Sequence, residues 1–98
     1  MEQATPFEYS RRIMDLLRGY REARVLITFA ELGIGDALAD GPLPAAAVAD
    51  AIGADPAATA RFLNAARFLG LVEREGDDYR LTPLAAATLT SGGAASVV

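Results

Sequence analysis

The stretch VADAIGADPAATARFLNAARFLGLVEREGDDYRLTP, residues 48 to 83, decides the fold because its punctuation separates successive elements. Gly53 and the pair Asp55–Pro56 divide two segments of helical periodicity. A glycine commonly ends a helix, whereas an aspartate followed by proline caps and begins one. Gly70 then ends the second helix. We expect the buried stripe of that helix to consist of Ala58, Phe62, Ala65, Ala66 and Leu69.

The segments that follow complete this pattern. Residues 71 to 75 and 79 to 81 alternate in polarity around a glycine and two aspartates, which is typical of a β-hairpin with one exposed face. Thr82 and Pro83 cap and begin a last short helix, with Leu84 and Leu89 as its expected apolar anchors. Before the quoted stretch, Pro44 is expected to begin the first helix of the helix-turn-helix, the one that Gly53 ends. The sequence therefore predicts a mainly α fold with a winged-helix core, that is, a helix-turn-helix plus a short β-hairpin.

Winged-helix proteins often bind DNA, but the charges of this chain argue against that function. The 98 residues include nine arginines, no lysine and 13 acidic residues, so the formal net charge is -4. DNA binding depends on a positive surface. The outward side of the candidate recognition helix offers only Arg61, Asn64 and Arg67 as hydrogen-bonding side chains, and the hairpin is rich in acids. We expect no nucleic-acid partner, and a small winged-helix transcription regulator stays as an alternative.

The first third of the chain has a second pattern, which predicts helices with apolar faces. One helix is amphipathic, and the next, residues 23 to 32 with the sequence ARVLITFAEL, is apolar on nearly every side. A domain of 98 residues has little core with which to cover both. We therefore expect a homodimer, although packing of both helices on one small core is an alternative. The expected interface residues are Tyr9, Ile13, Leu16, Leu17, Tyr20, Val25, Leu26 and Phe29.

The sequence contains few groups for catalysis or ion binding. It has no cysteine for a thiolate metal site and no histidine to act as a general base, and we expect no metal. Gly33 and Gly35 form a G-x-G that follows a helix and not a strand, so helix-stop and turn glycines explain it better than a cofactor loop. The longest apolar run, residues 25 to 30, is far shorter than the roughly 20 residues that span a bilayer. Since the first residues also lack the order of a signal peptide, we expect no membrane partner and a cytoplasmic location.

Residues 19 to 89 resemble the N-terminal dimerisation domain of S-adenosylmethionine (SAM)-dependent O-methyltransferases. This family includes plant caffeate-type enzymes and bacterial polyketide-tailoring enzymes. The motifs that carry the resemblance are AELGIGDAL at residues 30 to 38, GADP at 53 to 56, RFLNAARFLGLVE at 61 to 73 and YRLTPLA at 79 to 85. The resemblance implies a helical domain with a winged-helix core that intertwines with its twin and does not bind DNA.

The resemblance also implies that subunit pairing and catalysis belong to different domains of the enzyme. SAM is expected to bind a Rossmann-like catalytic domain, in cis or in trans, and no catalytic or cofactor-binding residue is expected among these 98. Because the first helices of such a domain help to wall the acceptor pocket of the other subunit, Met14, Leu17, Tyr20 and Arg24 are candidate pocket residues, with ordinary interface packing as the alternative. Residues 1 to 89 are expected to form the domain and 90 to 98 a linker or the start of a catalytic domain. A free-standing protein–protein adaptor is a further alternative.

Overall fold

The computed structural model describes residues 5 to 94, 96 and 97, so the predictions for residues 1 to 4, 95 and 98 lie outside the described residues. Within this part, the chain forms five helices and three short strands. These are α1 (Pro6–Glu31), α2 (Ile34–Leu38), β1 (Leu43–Pro44), α3 (Ala45–Ile52), α4 (Pro56–Phe68), β2 (Val72–Glu75), β3 (Asp78–Leu81) and α5 (Pro83–Thr88). The helix-turn-helix is α3–α4, and the hairpin is β2–β3. The described chain is mainly helical, as predicted.

Helix α1 is one continuous element of 26 residues, whereas the sequence predicted two successive helices. At about 1.5 Å per residue it is about 39 Å long. Its start is fixed by a capping box, in which the Glu8 amide donates to Thr5 Oγ1 (3.2 Å) and the Thr5 amide donates to Glu8 Oε2 (3.3 Å). Gly19 does not interrupt the helix, because one interior glycine costs only about 1 kcal/mol relative to alanine.

Helix α4 begins where predicted, and most of its predicted stripe faces inward, since Ala66 is buried and Phe62, Ala65 and Leu69 are partly buried. Gly53 ends α3 with a left-handed backbone, φ 70°, and the Asp55 carboxylate caps α4 by accepting from the Ala58 amide at 2.8 Å. The buried residues of α4 are Thr59, Leu63 and Ala66. Ala58 is exposed instead of buried, because Thr59 satisfies its hydroxyl by donating to the Asp55 carbonyl at 2.8 Å and can therefore face the core.

The three strands form one antiparallel sheet in the order β1-β3-β2. The hairpin turns at Gly76, whose φ is 61°, and Arg74 lies opposite Tyr79 in the β2–β3 register. Strand β1 was not predicted, since a two-residue strand is too short to show a sequence pattern. Pro44 belongs to this strand and is the N-cap of α3, so the helix itself opens one residue later than predicted.

The core lies where the end of α1 meets α2, α3, α4 and the sheet. Its largest fully buried side chains are Phe29, Ile34, Val48, Leu63 and Val72. We expected Phe29 at a subunit interface, but it lies on the face of α1 that packs into this core and has no exposed surface in the single chain. Leu89 anchors the region after α5 as predicted, whereas Leu84 does not, because 62% of it is exposed.

We expect the burial of Leu63 in α4 to be measurable as a difference between two substitutions. Leu63→Ala removes a side chain with no exposed surface and should lower the free energy of unfolding by about 2–5 kcal/mol. Phe68→Ala, near the end of the same helix, removes a side chain that is 92% exposed and should change it by no more than about 0.5 kcal/mol. Urea unfolding at one fixed protein concentration measures both, and a near-neutral Leu63→Ala would contradict the burial of Leu63 in the core.

Candidate dimerisation surface

The N-terminal part of α1 projects from the domain. Residues 5 to 24 are all exposed, and within α1 only Phe29 is fully buried. The helix contacts α2 and α4 through its C-terminal end. The molecule is consequently elongated, 55 Å along its longest axis and 23 Å along its shortest. Most of α1 is therefore available to a partner.

An apolar stripe runs along this projecting helix. We define the α1 stripe as Tyr9, Ile13, Leu16, Leu17 and Tyr20, whose exposed fractions lie between 48% and 64%. Their spacing places them on one side of a helix that turns about 100° per residue. Ile27, which is 50% exposed, continues the same side toward the C-terminus. A contiguous apolar surface of this kind is typical of an interaction site.

A groove of about 540 Å³ lies beside the stripe, between α1 and the region around α5. Gly19 and Ala23 are small and leave open space on the α1 side of the groove. A Cβ atom at Gly19 would meet no other atom within 4 Å in the single chain. Among the described lining residues only Glu22 and Thr88 are polar. The lining residues are Gly19, Glu22, Ala23 and Leu26 on α1, and Leu69, Leu71, Leu84, Thr88, Leu89 and Val97 on the opposite side.

The predicted interface residues therefore occupy three different environments. The five of the α1 stripe are exposed, Leu26 lines the groove, and Val25 is partly buried against the core that holds Phe29. Sequence reasoning missed Gly19 and Ala23 and assigned Leu84 to the core. An isolated glycine inside a helical pattern is a signal that could have indicated close packing.

The candidate pocket residues lie on the same exposed helix. Met14, Leu17, Tyr20 and Arg24 are all exposed, and the stripe includes two of them. They extend over about 15 Å of the length of α1, because each residue adds about 1.5 Å. Any pocket that uses all four must therefore be long or must be shared with another chain.

Several polar side chains of the hairpin are bonded within the chain, and one of these bonds reaches α4. The Tyr79 hydroxyl donates to Asn64 Oδ1 at 3.0 Å, and Arg74 Nε donates to the Gly76 carbonyl at 3.0 Å. Arg80 forms an ion pair with Glu73 at 2.8 Å, and this hydrogen bond and the charge of Glu73 raise the pKa of Arg80. Both hairpin arginines, Arg74 and Arg80, therefore already interact with groups of the chain itself.

The described part of the chain contains neither a metal-binding cluster nor a membrane-spanning helix. Across residues 5 to 94, 96 and 97, no three histidine, cysteine, aspartate or glutamate side chains converge where they could hold a metal ion. None of the helices in that part combines the length and the apolar character needed to cross a bilayer.

Comparison with known proteins identifies the family of this chain. The model of the O-methyltransferase dimerisation domain matches residues 14–91, and the chain belongs to this family. The N,N-dimethyltransferase OxyT of Streptomyces rimosus is 39% identical over 87 residues, which cover 89% of this chain and 25% of that protein. The acetylserotonin O-methyltransferase of Mus musculus is 38% identical over 88 residues, which cover 84% of this chain and 23% of that protein.

A solved structure has the same fold. The human N-acetylserotonin methyltransferase in complex with SAM superposes with a TM-score of 0.77 and 34% identity, over 98% of this chain and 29% of that chain. The chain thus spans about a quarter of the length of these relatives. The predicted family, the mainly helical fold and the function of a dimerisation domain are confirmed.

The charge distribution on α4 and the hairpin leads to a prediction about DNA. Because the hairpin arginines are paired and the net charge is -4, a mixed-sequence duplex at about 0.15 M salt should bind no more tightly than about 0.1 mM, the weak end of nonspecific binding. Fluorescence anisotropy with a labelled duplex measures this affinity. As a positive control, the double variant Glu73→Lys and Glu75→Lys should bind more tightly. A nanomolar, sequence-selective complex of the unchanged chain would favour the regulator alternative.

Proposed function

We propose that this chain pairs the two subunits of a SAM-dependent small-molecule methyltransferase and helps to wall the acceptor pocket of the opposite subunit. The observation that carries the proposal is the α1 stripe, which is apolar and exposed on a helix whose first 19 residues have no buried side chain. Apolar surface that leaves water contributes about 25 cal/mol per Å². Pairing of two such helices is therefore the most direct way to stabilise α1.

The proposed pairing is a twofold one, in which the same surface of each copy meets the other. A closed homodimer of this kind places every contact twice. The groove lies next to the stripe on the same helix, since Gly19, Ala23 and Leu26 of α1 form one of its walls. We propose that the projecting part of α1 from the second copy enters this groove.

The catalytic part of the proposal concerns the whole protein. SAM would bind in a separate methyltransferase domain, and the acceptor would carry a hydroxyl or an amine, since the relatives include both an O-methyltransferase and an N,N-dimethyltransferase by name. Met14 and Arg24 flank the α1 stripe and are the candidates for reaching the acceptor pocket. Leu17 and Tyr20 would be shared between the pocket and the interface.

We expect one charged substitution in the α1 stripe to separate the subunits. Leu17→Glu places a carboxylate in the proposed apolar contact and should raise the dimer dissociation constant about 30-fold or more, which corresponds to a loss of about 2 kcal/mol. Sedimentation equilibrium over a concentration series measures this constant. Arg11→Ala is the matched control, because it changes the net charge by the same amount on the opposite side of α1 and should leave the constant within about threefold.

The opposite result would contradict the proposal directly. If the unchanged chain is a monomer at high micromolar concentration, or if Leu17→Glu and Arg11→Ala dissociate alike, the α1 stripe is not the dimer contact. Far-ultraviolet circular dichroism of each variant shows whether the helix itself persists.

A second substitution tests the groove separately from the stripe. Gly19→Leu adds a side chain whose Cβ would meet no atom within 4 Å in the single chain, and it should favour the helix itself, since leucine has a higher helix propensity than glycine. If α1 of the other copy occupies the groove, however, this leucine obstructs it and the dimer dissociation constant should rise at least tenfold. Gly19→Ala is the control, because it gives a similar gain in propensity with a much smaller side chain. A Gly19→Leu dimer as tight as the unchanged one would leave the groove without a role in pairing.

A further inference from the structure

The chain that follows α5 is held against the domain, although its composition is typical of a linker. We call residues 89 to 94, 96 and 97 the connector. Its most specific contact is with Asp36 in the first turn of α2. Asp36 Oδ1 accepts from the Ser91 amide at 2.8 Å, and Asp36 Oδ2 accepts from the Ser91 hydroxyl at 2.7 Å. Both carboxylate oxygens are thus used on a single residue of the connector, 55 positions away in sequence.

Next to Asp36, α2 and the connector approach each other too closely for any side chain. A methyl group at Gly35 would overlap the Leu89 carbonyl, and Gly35 is buried. Leu89 and Thr90 are only 7% and 5% exposed, and the Thr90 hydroxyl donates to the Ala86 carbonyl at 2.8 Å. Gly35 is therefore a packing residue inside α2. The turn glycine of the predicted G-x-G pair is Gly33, whose φ is 72°.

The connector then runs back along α5. A methyl group at Gly93 would overlap the carbonyls of Ala86 and Ala87, so this glycine also permits a close backbone approach. Further on, the Val97 amide donates to the Thr88 carbonyl at 2.8 Å. Val97 thereby becomes part of the groove between α1 and α5.

From these contacts we infer that Asp36 is a positioning residue, which clamps the connector onto α2 and fixes the direction in which the chain leaves the dimerisation domain. The clamp also holds Val97 in the groove wall, next to Leu26 of α1. The inference rests on the proposed function in one respect, namely that a methyltransferase domain follows the connector. A joint of this kind would transmit the orientation of the paired domains to that catalytic domain, which a flexible linker would not do.

The ionisation of Asp36 agrees with a clamp that is closed at neutral pH. The hydrogen bonds from the Ser91 hydroxyl and amide lower the pKa of Asp36 below the usual aspartate range. A carboxylate whose pKa is lower in the folded state stabilises that state above its unfolded pKa, and the stabilisation is lost as the pH falls through the folded value. The contact should therefore persist over the whole neutral range and open only in acid.

The test measures the mobility of the connector on the chain itself. In the unchanged chain, ¹⁵N relaxation should give the amides of Ser91 and Val97 order parameters near the value of about 0.85 that is typical of rigid backbone. In Asp36→Ala they should fall below about 0.6, while the amides of α4 stay unchanged. Asp40→Ala is the matched control, because Asp40 is an exposed aspartate close in sequence for which the described residues provide no hydrogen bond or ion pair.

A second measurement keeps the inference testable if Asp36→Ala disturbs α2. Ser91→Ala removes one of the two donors, and a ¹³C titration of the Asp36 carboxyl should then give a higher pKa than in the unchanged chain. Order parameters of Ser91 below about 0.6 in the unchanged chain, or no response of the connector to Asp36→Ala, would overturn the inference. Either result is independent of pairing, because sedimentation of the same samples reports separately whether the dimer of the proposed function exists.

Discussion

Burial of the Phe29 side chain is the interaction on which the rest of the structure depends, because it attaches α1 to the domain. Phe29 has no exposed surface, and it is the one fully buried residue that α1 contributes to the described core. Everything in α1 that lies N-terminal to residue 25 is exposed. The geometry of the α1 stripe relative to the groove is thus set by the last two turns of a helix about 39 Å long. A small domain with one long attached helix has much more apolar surface to offer a second copy than it can bury alone.

Many features of this fold could be predicted from sequence, because they depend on local chemistry. Glycines with positive φ, such as Gly53 and Gly70, end helices for a steric reason that does not depend on the rest of the molecule. The caps at Asp55 and Thr82 are equally local, since a side-chain oxygen three residues before an amide is well placed to accept from it. These signals were sufficient to predict the order of helices, turn and hairpin.

The features that sequence reasoning missed depend on tertiary packing. Both Ala58 and Thr59 can face a core, and only the packing of α4 decides between them in favour of Thr59. Phe29 was assigned to the interface and Leu84 to the core for the same reason. An apolar residue on a helix gives the same sequence pattern whether its own core or a partner chain covers it. Within the candidate surface, the stripe was accessible from periodicity, whereas the groove was not, because its second wall consists of residues such as Leu69 and Leu84, which only tertiary packing brings next to α1. The contact between Asp36 and Ser91 joins residues 55 positions apart and has no sequence pattern at all.

The continuity of α1 has a consequence for the order of events during synthesis. All 26 residues of the helix leave the ribosome before any of the other elements that supply the core around Phe29. During that interval the stripe and Phe29 are both exposed, on a segment longer than the roughly 12–15 residues below which an isolated helix is marginal. Two neighbouring nascent chains on one messenger RNA would therefore present their stripes to each other before either core is complete. Subunits made from the same message would be favoured as partners over related subunits made elsewhere.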